Sequence, residues 1–260
     1  MAQRNKKMDS RPIETDAEEA IKILRPGYRI FIGQALAEPF ILTEALYENR
    51  DSLTNIEIVG TSWANECKYA SKDVKGHFRF LTFMLKPNML ESLKEGITDY
   101  IPAKISNIHQ LFQKNGPLPL DIALIQVSPP DNNGYCSLGI GVLYALDAAL
   151  NARYVIAEVN DQMPRTLGNC SIHISKISYM VHSSRPLPQY FLPKIAEREK
   201  KIGEYVAKIV PDGATFEIGM GAIPSAILES LFDKSDLGIH SGMITDGIIP
   251  LVEKGIINNS

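Results

Sequence analysis

Apolar residues recur along this chain in two alternating periods. Asp121–Val127 (DIALIQV) and Tyr154–Val159 (YVIAEV) are almost continuously apolar, as parallel strands covered on both faces should be. Tyr28–Ile32, Ile56–Gly60, the aromatic-rich Phe78–Phe83 and the alternating Ala214–Ile218 read as further strands. Helical patterns fall between them. Thr15 to Glu18 has capping-box spacing, with Ala20, Ile21, Ile23 and Leu24 on one stripe behind it. Pro39 opens a helix through about Tyr47, and Asn88–Glu95, Ser106–Gln113 and Val142–Asn151 follow. Lys194–Ile209 is a charged amphipathic helix with Ile195, Ile202, Val206 and Ile209 inward. Strands alternating with helices predict an α/β fold with mostly parallel sheets.

Proline and glycine divide this pattern. Ser183–Pro193 (SSRPLPQYFLP) holds three prolines and reads as a linker. Residues 1–193 are expected to form one open α/β domain, and residues 194–260 the start of a second, incomplete one. The second start echoes the first. Ile21–Leu46 and Ala207–Leu231 both run helix, glycine turn, strand, glycine corner and proline-initiated helix. Gly27 matches Gly213, Gly33 matches Gly219 and, after one gap, Pro39 matches Pro224. A sheet of two or three strands would leave faces uncovered, so a fragment, or a subunit completed by a second chain, is expected.

Composition narrows the class. The formal net charge of −3, with Lys and Arg scattered, leaves no footprint for nucleic acid. Cys67, Cys136 and Cys170 are far apart and lack C-x-x-C spacing, so three unpaired thiols in a reducing cytoplasm are expected, with no metal site. The basic N-terminus lacks an apolar core behind it, and no run is long enough to span a bilayer.

Ligands in doubly wound sheets bind beyond the carboxyl ends of strands, and three loops there carry polar groups. Ser128–Gly139 (SPPDNNGYCSLG) joins stiff prolines to an Asn-Gly turn. Asn160–Arg165 offers the amides of Asn160 and Gln162 and the guanidinium of Arg165. Gly219–Pro224 (GMGAIP) is a glycine corner feeding a helix, whose first amides can receive an anion or a polarised carbonyl. Taken singly, each also reads as a plain turn. His240, in the next strand, reads as a base or as a packed structural residue. Walker, zincin, G-x-S-x-G and full Rossmann motifs are absent from the sequence.

GQALAEP (Gly33–Pro39), SPPDNNGYCSLG, EVNDQMPRTLG (Glu158–Gly168), DGATFEIGMGAIPSAIL (Asp212–Leu228) and LGIHSGMITDG (Leu237–Gly247) together resemble the acetyl-CoA hydrolase/transferase family. That family includes acetate, butyrate and 4-hydroxybutyrate CoA-transferases. The resemblance implies two CoA-transferase-type α/β domains with the active site between them, in a longer full chain. It implies an acyl-CoA thioester and a carboxylate as substrates, no tightly bound cofactor, and a homo-oligomer or a second completing chain.

The resemblance also implies a glutamate nucleophile. Its carboxylate attacks the thioester to give a mixed anhydride and CoA thiolate; the thiolate then attacks the glutamyl carbonyl, releasing the substrate's acid as a carboxylate and leaving an enzyme-bound thioester, and the incoming acid reverses the steps. That residue belongs to a motif resembling I-H-[ST]-E-M, which here reads Ile239-His240-Ser241-Gly242-Met243, so Gly242 stands at the nucleophile position. Four readings follow: hydrolysis with water as acceptor, a substitute carboxylate, a binding subunit whose partner supplies the acid, or lost catalysis. Glu217, where the family typically has an amide, and Asp246 are the candidate substitutes. Gly219, Gly221, Ala222, Ile223, Pro224, Asn160, Gln162, Ser128 and Gln34 are the expected substrate contacts.

Overall fold

The computed structural model describes residues 11–62, 67–191 and 193–260. The basic N-terminal segment weighed above therefore lies largely outside the described residues. The chain separates into two compact units, one ending at Pro188 and one running Gln189–Ser260.

The first unit is built on eight strands. They are β1 (Ile13–Glu14), β2 (Arg29–Ile32), β3 (Ile56–Gly60), β4 (Phe78–Thr82), β5 (Thr98–Tyr100), β6 (Ile122–Val127), β8 (Tyr154–Asn160) and β10 (Tyr179–Ser183). They pair in the order β1-β10-β8-β6-β2-β3-β4-β5, and every pair is parallel. A separate antiparallel pair joins β7 (Tyr135–Ser137) to β9 (Ser171–His173).

Alternation along each strand sorts side chains to two layers. Ile30, Ile32, Ile56, Ile58, Leu124 and Ile156 pack with α1 (Ala17–Ile21) and α2 (Phe40–Glu48). Phe31, Val59, Ala123, Ile125, Val155 and Ala157 pack on the other face, with α4 (Ile105–Leu111) and α5 (Ala145–Asn151). α3 (Leu90–Lys94) leads into β5. All six residues of β6 are buried, which explains its continuous apolar run.

The first cap departs from the sequence expectation. Thr15 does not cap α1, because its amide donates to the Met180 carbonyl as the tail of the β1 pairing. Asp16 caps instead, accepting the Glu19 amide at 2.8 Å.

The second unit contains α6 (Glu197–Ile209), β11 (Thr215–Phe216), α7 (Ala222–Glu229), β12 (Gly238–Ile239) and α8 (Ile249–Glu253). β11 and β12 pair in parallel. Ala207, Ile218, Leu228, Leu231, Leu237 and Leu251 form its small core. Gly27 and Gly213 occupy the same left-handed backbone region, at φ 79° and 74°, each at the turn between a helix and a strand. Among the described residues, no helix is long and apolar enough to cross a membrane.

Candidate functional site

In unit 1, buried polar side chains gather at the carboxyl ends of the sheet: Gln34, Glu38, Thr61, Ser62, Gln126, Ser128, Glu158 and Asn160. A hydrogen-bond ladder crosses these ends. Asn160 donates through Nδ2 to Gln126 Oε1 and to the Arg185 carbonyl, both at 2.9 Å. Asn160 Oδ1 accepts the amides of Gln162 and Arg185. Gln126 Nε2 then donates to the Glu38 carbonyl at 2.7 Å.

Asn160 is therefore fully engaged within the protein, in contrast to the free donor expected from sequence. Ser128 is engaged too, accepting the Ser137 amide at 3.0 Å and donating to the Pro129 carbonyl. Arg165 spends its guanidinium on Asp131, at 2.7 Å, and on the Tyr135 carbonyl. Asp131 also accepts the Tyr135 and Asn133 amides, and these bonds with Arg165 hold its carboxyl below the usual range. Gln162 is exposed, its side-chain amide 3.5 Å from Ser184 Oγ.

Two acidic side chains missed by the sequence reading complete this edge. Glu158 Oε2 accepts the Ile41 amide at 3.1 Å and Oε1 accepts Ser183 Oγ at 2.9 Å. It thus caps α2, whose own N-cap, Pro39, has no side-chain bond to give. Burial raises its carboxyl above the ordinary glutamate value. Glu38 Oε2 accepts Ser62 Oγ at 3.1 Å and Tyr69 OH at 3.3 Å. Burial pushes this carboxyl up to about 7. An acid directly after apolar residues and before Pro39 was the available signal; its partners lie too far along the chain to be read.

Gln34 differs from its neighbours. It is only 1% exposed, yet among the described residues neither Nε2 nor Oε1 has a hydrogen-bond partner. Such a group is costly unless a water or ligand completes it.

In unit 2 the glycine corner forms as its sequence implies. Gly221, at φ 129°, is the N-cap of α7, and Pro224 lies in the first turn. The first amide satisfied within the helix is that of Ser225, bonded to the Gly221 carbonyl at 3.1 Å. Helix geometry leaves the amides of Ala222 and Ile223 ahead of that bond, at the positive end of the dipole.

Ser241 holds the next loop to this corner: its Oγ donates to the Ile218 carbonyl at 2.9 Å and accepts the Ile218 amide at 3.4 Å. Gly242 and Gly219 therefore follow two residues that are bonded to each other. A Cβ built at Gly242 or at Gly219 meets nothing within 4 Å. Glu217 and Asp246 are exposed, as is His240, whose amide donates to the Phe216 carbonyl.

The model of the acetyl-CoA hydrolase/transferase N-terminal domain matches residues 2–189. The chain belongs to the acetyl-CoA hydrolase/transferase family. It is 42% identical over 243 residues to the 4-hydroxybutyrate coenzyme A transferase of Clostridium kluyveri, covering 94% of this chain and 56% of that protein. It is 38% identical to the succinyl-CoA:acetate/propanoyl-CoA:succinate CoA transferase of Fasciola hepatica, over 95% of this chain and 52% of the other. The crystal structure of 4-hydroxybutyrate CoA-transferase from Porphyromonas gingivalis superposes with a TM-score of 0.82 at 34% identity, covering 95% of this chain and 58% of that one. The chain thus spans little more than half the length of the relatives it matches.

Proposed function

We propose that this chain carries the acyl-CoA-handling part of an enzyme that moves CoA between a short-chain acyl-CoA and a carboxylate such as acetate, or hydrolyses the thioester. The observation that carries this reading is the Ser241 clamp on Ile218, which sets Gly242 beside the glycine corner. In this reading the amides of Ala222 and Ile223, at the start of α7, receive the thioester oxygen as it gains charge. Gly221 and Gly219 let the ligand approach the backbone. Gln34 supplies a polar contact in unit 1, and the exposed Gln162 a second.

With glycine at position 242, the chain itself supplies no carboxylate there. Glu217, exposed beside the corner, is the first substitute as nucleophile or as base toward water, and Asp246 is the second. The acyl-CoA is a substrate rather than a resident cofactor. The relatives' 4-hydroxybutyrate and succinate specificities point to short acids as the class. Work in the cytoplasm, residues 1–193 as one domain, and assembly with a second copy or chain belong to the same reading.

The test is to incubate the full-length protein with butyryl-CoA, with and without acetate. Replacement of butyryl-CoA by acetyl-CoA when acetate is present means transfer, and release of free CoA without it means hydrolysis. A short acyl-CoA series in which every member is left unconverted would refute the proposal.

A further inference from the structure

Glu38 is anchored at both of its ends. Its carbonyl accepts Gln126 Nε2 at 2.7 Å, which ties it to the ladder across β6 and β8. Its carboxylate accepts Ser62 Oγ and Tyr69 OH, at 3.1 and 3.3 Å, which ties it to the exit of β3 and the segment beyond. The Ala35 amide adds a third tie, to the Thr61 carbonyl at 2.9 Å, with Ala35 itself held at φ 56°. Left-handed backbone at a residue other than glycine persists only where its surroundings hold it.

The Gly33–Pro39 turn is thus fastened on several sides, and inside it lies the buried Gln34 amide, which has no hydrogen-bond partner among the described residues. Rigid support around one open polar group is how a recognition contact is preorganised. An amide offers a donor and an acceptor together, which suits a hydroxyl, a carboxylate or a carbonyl.

Resting on the acyl-CoA reading above, we propose that Glu38 is a positioning residue: through Ser62 and Tyr69 its carboxylate braces the Gly33–Pro39 turn and holds the Gln34 amide for the polar end of the bound substrate. The groups facing this carboxylate are Thr43 on α2, Ser62, Cys67, Tyr69 and, beyond β4, Lys86. Burial pushes the Cys67 thiol up to about 12 and the Tyr69 phenol well above its ordinary value, so both remain neutral at neutral pH. Burial lowers Lys86, the cation facing the cluster, below the usual lysine value. Glu38 is the member of this set that changes charge near neutrality. Ionised, it accepts both hydroxyls in charge-assisted bonds; protonated, it loses that assistance and the brace slackens.

The chain carries one tryptophan, Trp63, directly after Ser62 in sequence, which provides a reporter independent of turnover. In the full-length protein, Trp63 emission and the KM for butyryl-CoA should change together between pH 5.5 and 8.5, with one midpoint near 7. KM should be lower on the alkaline side by roughly fivefold, with kcat little affected. Glu38→Gln should abolish both transitions and fix KM at its acidic value. Tyr69→Phe removes a donor to the ionised form, so it should move the midpoint upward, and it serves as the second variant if Glu38→Gln folds poorly. Transitions that persist in Glu38→Gln would overturn the proposal, as would an emission midpoint with a KM that ignores pH. An emission midpoint abolished by Glu38→Gln, in a protein that turns over no acyl-CoA, would remove the enzyme reading and keep the brace.

Discussion

Ser241 Oγ donates to the carbonyl of Ile218 at 2.9 Å, a bond between two loops 23 residues apart in sequence. It joins the exit of β12 to the exit of β11, and so places Gly242 next to the corner that opens α7. Ser241→Ala removes this tie and leaves a part-buried carbonyl unpaired. Urea denaturation should show a loss of about 1 kcal/mol. Turnover should fall further than that loss explains, because the corner is no longer fixed.

The open space at Gly242 gives a second expectation. Apart from its chain neighbours, no atom of the described residues lies within 4 Å of a Cβ built there, so the backbone position admits the side chain of Gly242→Glu. Acetate-dependent thioester transfer by the full-length variant should rise at least tenfold over the parent, with stability changed by less than about 0.5 kcal/mol. A coupled assay for acetyl-CoA formed from butyryl-CoA, run with and without acetate, measures it.

Glu158 caps α2 from 117 residues away, accepting the Ile41 amide. Glu158→Ala leaves that amide and Ser183 Oγ without their acceptor, at a cost of about 2 kcal/mol in chemical denaturation. Glu158→Gln keeps one carbonyl oxygen for the amide, so it should cost less than half as much.

Burial holds the Glu38 carboxyl at about 7, above the ordinary glutamate value of 4.5. A raised folded-state pKa means that the folded protein binds the proton more tightly. The resulting stability is fully present below about 4.5 and is lost as pH rises through about 7. The full window is worth roughly 3 kcal/mol. Glu38→Gln, which cannot ionise, should equal the parent near pH 4.5 and exceed it at pH 8.5 in thermal unfolding.

The parts of this fold that sequence patterning reveals are those whose own residues determine them. Ile56–Gly60 has the bounds its pattern predicts, and Ile122–Val127 and Tyr154–Asn160 lie within one residue of theirs, because strands buried on both faces must be predominantly apolar. The two-residue β1, the three-residue β5 and the edge-proximal β10 show no such run; their neighbours impose their pairing. The same division runs through the site. The glycine corner is local, and its helix start follows from Gly221 and Pro224. The bonds that engage Asn160 run to Gln126 and Arg185, 34 and 25 residues away in sequence, where a local pattern does not reach. Glu38 and Glu158 stayed invisible for that reason.

The central claim is that this family member acts on an acyl-CoA thioester, and isotope-labelled acetate tests it most directly. The full-length protein is mixed with butyryl-CoA and labelled acetate, and the CoA species are followed by mass spectrometry. The expected result is consumption of butyryl-CoA with release of butyrate, the CoA appearing as labelled acetyl-CoA if it is transferred or as free CoA if water is the acceptor. Butyryl-CoA left intact, and the same result with acetyl-CoA and 4-hydroxybutyryl-CoA, would contradict it.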